Sequence, residues 1–211
     1  RNLPIEPVLP PLSDGVTLIT PTGDRPEAFA LCERYMMRQT FLESERPWQW
    51  IVVDDGVEPT ECTQNQDYIR RKPGRRESSL GQNLLAALER ARHDRILIVE
   101  DDDWYSPQYV ERMAELLNEG ELCGERQSRY YHVAERRWRQ MPNQNHASLC
   151  QTAFRRSILP EVQQACRRRS PFIDLQLWRL PVRRHLVDSE GLVLGIKGMP
   201  GRSGYGLSLI H

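Results

Sequence analysis

Three short apolar runs in the first half of the chain each end in acidic residues. Val16-Thr17-Leu18-Ile19-Thr20 leads into Pro21-Thr22-Gly23-Asp24-Arg25, Trp50-Ile51-Val52-Val53 into Asp54-Asp55-Gly56, and Ile96-Leu97-Ile98-Val99 into Glu100-Asp101-Asp102-Asp103. If the runs are neighbouring parallel strands, seven carboxylates crowd one rim: Asp24, Asp54, Asp55 and Glu100 to Asp103. Like charges held that close are unfavourable unless a cation or a set of donors compensates them. Hard oxygen ligands in that number suit Mg²⁺ or Mn²⁺, ions that retain water and bridge to substrate phosphates. Asp54-Asp55-Gly56 on its own also reads as a solvated turn, whereas four acids directly after a buried strand call for a partner.

The surrounding elements are what must position these acids. Pro26 and Glu27 open a helix with Phe29, Cys32, Tyr35 and Met36 on one face. Ser79 caps a second helix carrying Leu80, Leu84, Leu85 and Leu88, and Ser106-Pro107 starts a third with Val110, Met113, Leu116 and Leu117. The result is β-α-β-α-β-α with strands apolar on both faces, the pattern of a parallel sheet covered by helices. In such a sheet ligands bind outside the carboxyl ends of the strands. Residues 1–15, with Pro4, Pro7, Pro10 and Pro11, read as an extended arm, and 57–77 as a polar loop containing Arg70-Arg71-Lys72-Pro73-Gly74-Arg75-Arg76. The second half predicts strands near Tyr130–Ala134 and Ser148–Phe154 and helices near 157–168 and 172–179. The stretch from Gly195 to Gly204 is too glycine-rich for the interior of a strand or helix; its backbone amides with Lys197 and Arg202 are placed to close over a diphosphate.

The chain has 211 residues, enough for one core that needs neither disulfides nor a structural metal. No apolar run approaches the roughly 18 residues that span a bilayer, and Arg1-Asn2-Leu3-Pro4 does not open a signal peptide. No membrane partner is expected. Five scattered cysteines without a C-x-x-C pair predict reduced thiols and a cytoplasmic protein. The net charge is zero but uneven: residues 1–105 carry −6, residues 106–211 carry +6, and the segment from Arg126 onward carries +10. That asymmetry points to an anionic partner for the second half, against the plainer reading of a solvated surface in a chain with 27 Arg and 2 Lys. Ile96 to Asp102 also resembles the first strand of a phosphoacceptor receiver domain, but no Asp lies between Asp103 and Asp174 to be phosphorylated, which excludes it.

Four motifs in order carry a broader resemblance: Thr17 to Thr22 with Arg25-Pro26, Ile51 to Gly56, the helix opening from Ser78 to Asn83, and Val99 to Trp104 with Pro107. Together they are similar to family-2 glycosyltransferases of the GT-A fold. The resemblance implies an α/β chain, a single GT-A (Rossmann-like) domain over 16–211 with a mostly parallel central sheet. Residues 16–105 would form the nucleotide-sugar half and 106–211 the acceptor half. It implies a metal-dependent, inverting transfer from a nucleotide-diphosphate sugar, with UDP favoured and Mn²⁺ or Mg²⁺ as cofactor. Thr20, Thr22, Arg25 and Asp54 would hold base and ribose, with Asp55, Asn83, Glu100 and Asp101 completing the donor side. The acidic motif aligns either as Glu100 with Asp102 or as Asp101 with Asp103. Asp102 and Asp103 are the metal ligands expected, with His211 completing the shell. Where the family often has Arg before the helix Asn, this chain has Gln82-Asn83, and Arg75 or Arg76 would compensate.

The base that accepts the acceptor's proton would be Asp174, in Phe172-Ile173-Asp174-Leu175, although the family's Glu-Asp pair is replaced by Pro171-Phe172. An acid there also suits a helix first turn. His146 is a second candidate on the acceptor side. The acceptor expected is a hydroxymethylated pyrimidine in DNA, with a saccharide or small molecule as the alternative. A nucleotidyltransferase would want a glycine-rich first loop, where this chain has only Gly23; a non-catalytic sugar-nucleotide or DNA-binding module is the remaining class. Oligomeric state is not legible.

Overall fold

The computed structural model describes residues 14–74, 79–168 and 172–202. In chain order the elements are β1 (Val16–Thr22), α1 (Pro26–Met36), β2 (Trp48–Asp54), β3 (Asp67–Arg70), α2 (Ser79–Leu88), β4 (Arg95–Ile98), β5 (Trp104–Tyr105), α3 (Tyr109–Leu116), β6 (Leu122–Glu125), β7 (Arg129–His132), β8 (Arg137–Gln140), β9 (Thr152–Arg155), α4 (Leu159–Arg167), α5 (Ile173–Leu177), β10 (Arg184–Val187) and β11 (Val193–Lys197). Seven strands form the central sheet in the order β10-β6-β9-β4-β1-β2-β3. Its pairings are parallel except those of β9, which runs against both β4 and β6. Both halves of the chain contribute strands to this one sheet.

The expected buried strands are buried on both faces, and their consecutive residues divide two cores. Leu18, Trp50 and Val52 pack with Phe29, Met36 and Met113 under α1 and α3. Ile19, Ile51 and Val53 pack with Leu84, Val162 and Leu177 under α2, α4 and α5. Each such side chain contributes about 1.5–3 kcal/mol when taken from water, so the sheet is held from both sides along its length. α1 begins with Pro26 at its first position, as expected. α3 begins later than Ser106-Pro107, at Tyr109, because the buried Gln39 side chain acts as its cap: Gln39 Oε1 accepts the Val110 N–H at 2.9 Å while Nε2 donates to the Ser106 carbonyl at 2.8 Å.

A second, four-stranded sheet has the order β5-β11-β7-β8. The pairing of β5 is set by β11, distant in sequence, whereas β8 pairs with β7 in a tight hairpin. The polar loop expected over 57–77 contains β3, which adds to the edge of β2. Of the strand expected over Ser148–Phe154, Leu149–Gln151 forms a 3-10 turn and only Thr152 onward is strand. The residues of the N-terminal arm up to Ser13 lie outside the described residues, as do Arg75, Arg76, Pro171 and His211. No helix among the described residues is long and apolar enough to cross a membrane.

The glycine-rich tail departs from expectation, since Gly195 sits inside β11. A Cβ on Gly195 would lie 2.2 Å from the Tyr130 ring. That ring is fixed by its hydroxyl, 2.7 Å from Ser148 Oγ, and lies under the Lys197 ammonium at 5.4 Å. Glycine is therefore used here for close approach of a ring to backbone. Gly195→Ala should destabilise the protein by about 1–3 kcal/mol through overpacking, seen as a lower urea midpoint; an unchanged midpoint would show that the ring can move aside.

Candidate active site

The strand order places a topological switch between β1 and β4: the chain leaves β1 toward β2 and returns across it to β4. At the carboxyl ends of those two strands lie Thr22 and Arg25 on one side and Glu100 to Asp103 on the other. Arg25 bridges the gap, with Nη2 2.7 Å from Asp101 Oδ1 and Nη1 3.0 Å from Asp102 Oδ2. Thr22 Oγ1 donates to Asp101 Oδ2 at 2.6 Å. Asp101 is fully buried and its two oxygens serve Thr22 and Arg25, so its carboxylate is directed into the protein rather than toward a ligand.

The acid turn links the two sheets. β4 ends before it, and β5, directly after it, pairs with Val193 and Leu194 of β11. β11 then delivers the Ile196 N–H to Asp103 Oδ1 at 2.9 Å and the Lys197 ammonium to 3.8 Å from both Asp102 Oδ2 and Asp103 Oδ1. After Lys197 the chain folds back over the β1 end. Gly201, at φ +104°, passes against the Asp24 carbonyl, the Arg202 N–H donates to that carbonyl at 3.1 Å, and the Arg202 guanidinium pairs with Asp55. Lys197 and Arg202 thus come to the same acid rim, Lys197 from a strand and Arg202 from the chain beyond it.

Burial first, then repulsion from Asp103 and Asp102, pushes Glu100 up to about 8. Burial likewise raises Asp101 to about 7 against the pull of Arg25, and Asp103 to about 6 against that of Lys197. Burial by itself would lower Lys197, but Asp103, Asp102 and Glu100 override it and hold the ammonium firmly charged. With every group ionised, five acids (Asp55 and Glu100 to Asp103) would meet three cations (Arg25, Lys197 and Arg202), an excess of two negative charges that the raised Glu100 and Asp101 carboxyls relieve by taking up protons. One divalent cation would balance it.

The donor set fits that charge. Glu100, Asp103 and Cys150 bring ligand atoms within 4.8 Å of one another, and Asp103 Oδ2 is buried without a hydrogen-bond partner. This grouping differs from the expected one. Asp103 belongs to both, His211 lies outside the described residues, and Asp102, 15% exposed, spends its Oδ2 on Arg25 and Lys197. Cys150 carries no sequence signal, because the turn that brings its thiol here forms only when β9 inserts beside β4. Burial pushes that thiol well above its ordinary range, with repulsion from Asp103 and Glu100 adding to it.

At the end of β2, Asp54 is a hub. Its carboxylate accepts the Gly56 N–H at 2.8 Å, the Thr60 N–H at 2.7 Å and the Tyr68 hydroxyl at 2.6 Å, with Arg70 at 3.0 Å. Although burial opposes it, these donors hold Asp54 below the usual carboxylate range, while burial and Asp54 push Tyr68 up to about 12. Asn83, buried on α2, accepts from Arg71 Nη1 at 2.6 Å, and the Arg71 N–H reaches the Asp54 carbonyl at 2.8 Å. Arg71 therefore partners the helix Asn, while Arg75 and Arg76, expected to compensate for the Arg missing before it, lie outside the described residues. Thr20 is the clear correction: it is fully buried two residues inside β1, and its hydroxyl accepts the Trp50 indole N–H at 2.9 Å, which satisfies a core donor rather than a ligand.

Asp174 sits in the first turn of α5, half-buried, and burial lifts its carboxyl above the usual range while His146 draws it back. The two acceptor-side candidates are thus electrostatic neighbours. His146 is held in its loop through its carbonyl, which accepts Asn143 Nδ2 at 2.9 Å.

The family model for glycosyl transferase family 2 matches residues 17–175. Among solved structures, S. aureus TarS 1-349 in complex with UDP is similar with TM-score 0.64 at 15% identity, over 86% of this chain and 60% of that one. The same TarS segment in complex with UDP-GlcNAc gives TM-score 0.59 at 14% identity, over 93% and 61%. The chain spans about three fifths of those TarS chains and 36% of a longer TarS structure. No curated protein matches. The structural likeness is one of fold, a mixed α/β GT-A domain with a mostly parallel sheet. With the family match running from β1 through the acid turn to the helix of Asp174, this chain belongs to glycosyl transferase family 2.

Proposed function

We propose that this protein is a metal-dependent, inverting glycosyltransferase that moves a sugar from a nucleoside-diphosphate sugar, with UDP favoured, to a hydroxymethylated pyrimidine in DNA. The observation that carries the reading is the convergence of Arg25, Lys197 and Arg202 on the acid turn at the β1–β4 switch point. Such a site offers cations to a diphosphate and carboxylates to a divalent ion within one cleft. UDP and UDP-GlcNAc in the TarS complexes support the donor class, and the net +10 from Arg126 onward supports a polyanionic acceptor.

In this reading Asp54, with Tyr68 and Arg70, and Asn83, with Arg71, form the nucleoside side. Thr22 and Asp101 hold Arg25 in place. Glu100 and Asp103 would hold Mg²⁺ or Mn²⁺, with Asp102 beside them offering the oxygen that Arg25 and Lys197 leave unused, and the ion when bound would supply positive charge beside the diphosphate. The acceptor hydroxyl oxygen attacks the anomeric carbon from the face opposite the diphosphate. The bond from that carbon to the phosphate oxygen breaks, and the hydroxyl proton passes to the Asp174 carboxylate, beside His146. Lys197 and Arg202, already charged, meet the negative charge that builds on the leaving nucleoside diphosphate.

The direct test offers duplex DNA containing 5-hydroxymethylcytosine or 5-hydroxymethyluracil with UDP-, GDP- and TDP-sugars and looks for a hexose or pentose mass shift. Transfer to saccharides with no shift on any DNA would move the acceptor to the saccharide class. Asp102→Asn should lower turnover at least about 10²-fold with the fold intact by circular dichroism. Chelator should reproduce the loss in the wild-type protein and added Mn²⁺ or Mg²⁺ reverse it; full activity in chelator would remove the metal from the mechanism.

Asp174→Asn should cost about 10²–10⁴ in turnover, the usual cost of losing a positioned base, while donor affinity holds. Because burial raises its pKa, the wild-type rate should fall as pH drops through that raised value and the carboxylate takes up its proton. A variant that melts slightly lower but keeps its rate would make Asp174 a helix-terminus acid only.

A further inference from the structure

Four of the five cysteines are buried, and Cys123 is engaged within the core, its thiol donating to the Met113 carbonyl at 3.6 Å. A free cysteine is an ordinary core residue, and burial by itself calls for no further role. Cys150 differs in what its sulfur meets. Its ligand atom and those of Glu100 and Asp103 all lie within 4.8 Å of one another, so a thiol stands against two carboxyls just past the end of β4.

Strand register puts it there. β9 runs against β4 with Arg95 opposite Arg155, Ile96 opposite Phe154 and Leu97 opposite Ala153. Carried three residues further, the same antiparallel register brings Cys150 opposite Glu100. At that point the chain makes its 3-10 turn over Leu149–Gln151, closed by the Gln151 N–H on the Ser148 carbonyl at 3.0 Å. The Tyr109 hydroxyl lies 3.0 Å from the Cys150 carbonyl and 3.1 Å from the Ile98 carbonyl of β4, so one side chain ties the turn to the strand. Gln151 Nε2 anchors the turn from its other side, donating to the buried Glu125 carboxylate at 3.0 Å.

Sulfur is a poor choice here for hydrogen bonding. Asp103 Oδ1 accepts the Ile196 N–H at 2.9 Å, whereas the buried Oδ2 has no donor in hydrogen-bonding geometry among the described residues. The neighbouring thiol helps to hold the Asp103 carboxylate charged, but S–H is a weak donor. A serine hydroxyl, of nearly the same shape, would satisfy that oxygen better. Sulfur is by contrast a strong ligand for a transition-metal ion. Two carboxylates and a sulfur within ligand reach of one another, with one buried oxygen left unpartnered, describe one side of a coordination shell. Water and diphosphate oxygens would take the remaining positions.

We propose that Cys150 is a ligand, beside Glu100 and Asp103, to the ion of the acid turn, and that its sulfur makes the site select Mn²⁺ and softer first-row ions over Mg²⁺. This rests on the metal-dependent reading above. Binding forms the sulfur–metal bond and releases the thiol proton to solvent. Mg²⁺ demands hard oxygen ligands in a near-ideal octahedron and gains little from sulfur. Affinity instead rises along the first-row series from Mn²⁺ to Co²⁺, and thiolate favours the softer ions. Two carboxylates and one sulfur therefore separate ions that carboxylates alone would accept more evenly.

The test uses the full chain stripped of metal by chelator and reads binding rather than turnover. Co²⁺ is added with and without UDP, and near-ultraviolet absorbance is followed for the sulfur-to-cobalt charge-transfer band; calorimetry gives the affinities for Co²⁺, Mn²⁺ and Mg²⁺. The wild type should show the band, and Mn²⁺ should remove it at lower concentration than Mg²⁺. Cys150→Ser should abolish the band and weaken Co²⁺ and Mn²⁺ at least about 10-fold, with Mg²⁺ binding unchanged. Melting of the metal-free variant, with Cys150→Ala as a second, checks the fold, and the wild-type band and its displacement are read without any variant. If Co²⁺ binds the wild type without the band, or the band persists in Cys150→Ser, Cys150 is a core thiol and the metal-dependent reading survives. If no ion binds and sugar transfer runs at full rate in chelator, both fall.

Discussion

The guanidinium of Arg25 sits where the ends of β1 and β4 meet, and the arrangement around the acid turn depends on it. Asp101 is fully buried one residue after a half-buried acid and one before another. A carboxylate in that position is strongly unfavourable unless a partner and hydrogen bonds compensate. Arg25 supplies the charge and Thr22 the hydrogen bond, both from the end of the neighbouring strand, so the pairing register of β1 with β4 is also the register of the charges. Removing one member of such a pair leaves the other buried and uncompensated, a loss of about 3–5 kcal/mol. With Asp101 fixed inward, the alternation of the turn leaves Asp102 partly open and turns Asp103 toward β11.

The second sheet has two tasks because of where it attaches. β5 follows the acid turn directly and pairs with β11, so the turn is clamped between two sheets at opposite ends. The Ile196 N–H and the Lys197 ammonium reach Asp103 as a consequence of that pairing. Gly195 makes it possible by letting the Tyr130 ring lie against backbone, which in turn supports the ammonium from its other side. A single sheet thus carries the Lys197 ammonium that faces the acid turn and, two strands away, the exposed strand β8. Geometry at one end is transmitted to the other through backbone pairing alone.

The sequence by itself determined the three buried strands, their helices and the acids at their ends. It did so because strands covered on both faces must be continuously apolar, and because local sterics and turn chemistry mark where such runs stop. It could not determine which of Glu100 to Asp103 faces outward, since that follows from Arg25 and β11 closing on the turn from 76 and 93 residues away. Thr20 has the composition of a strand-end ligand, and only the packing of Trp50 against it shows that its hydroxyl is taken. β3 and β8 are short and polar, with little internal pattern, and exist because β2 and β7 offer them unpaired backbone edges. Tyr68, Arg70, Arg71 and Cys150 therefore joined the site only through tertiary structure. The physical reason is the same in each case: hydrophobic periodicity is written locally, whereas the partner of a buried charge or polar group is chosen by strand order, which only the assembled sheet defines.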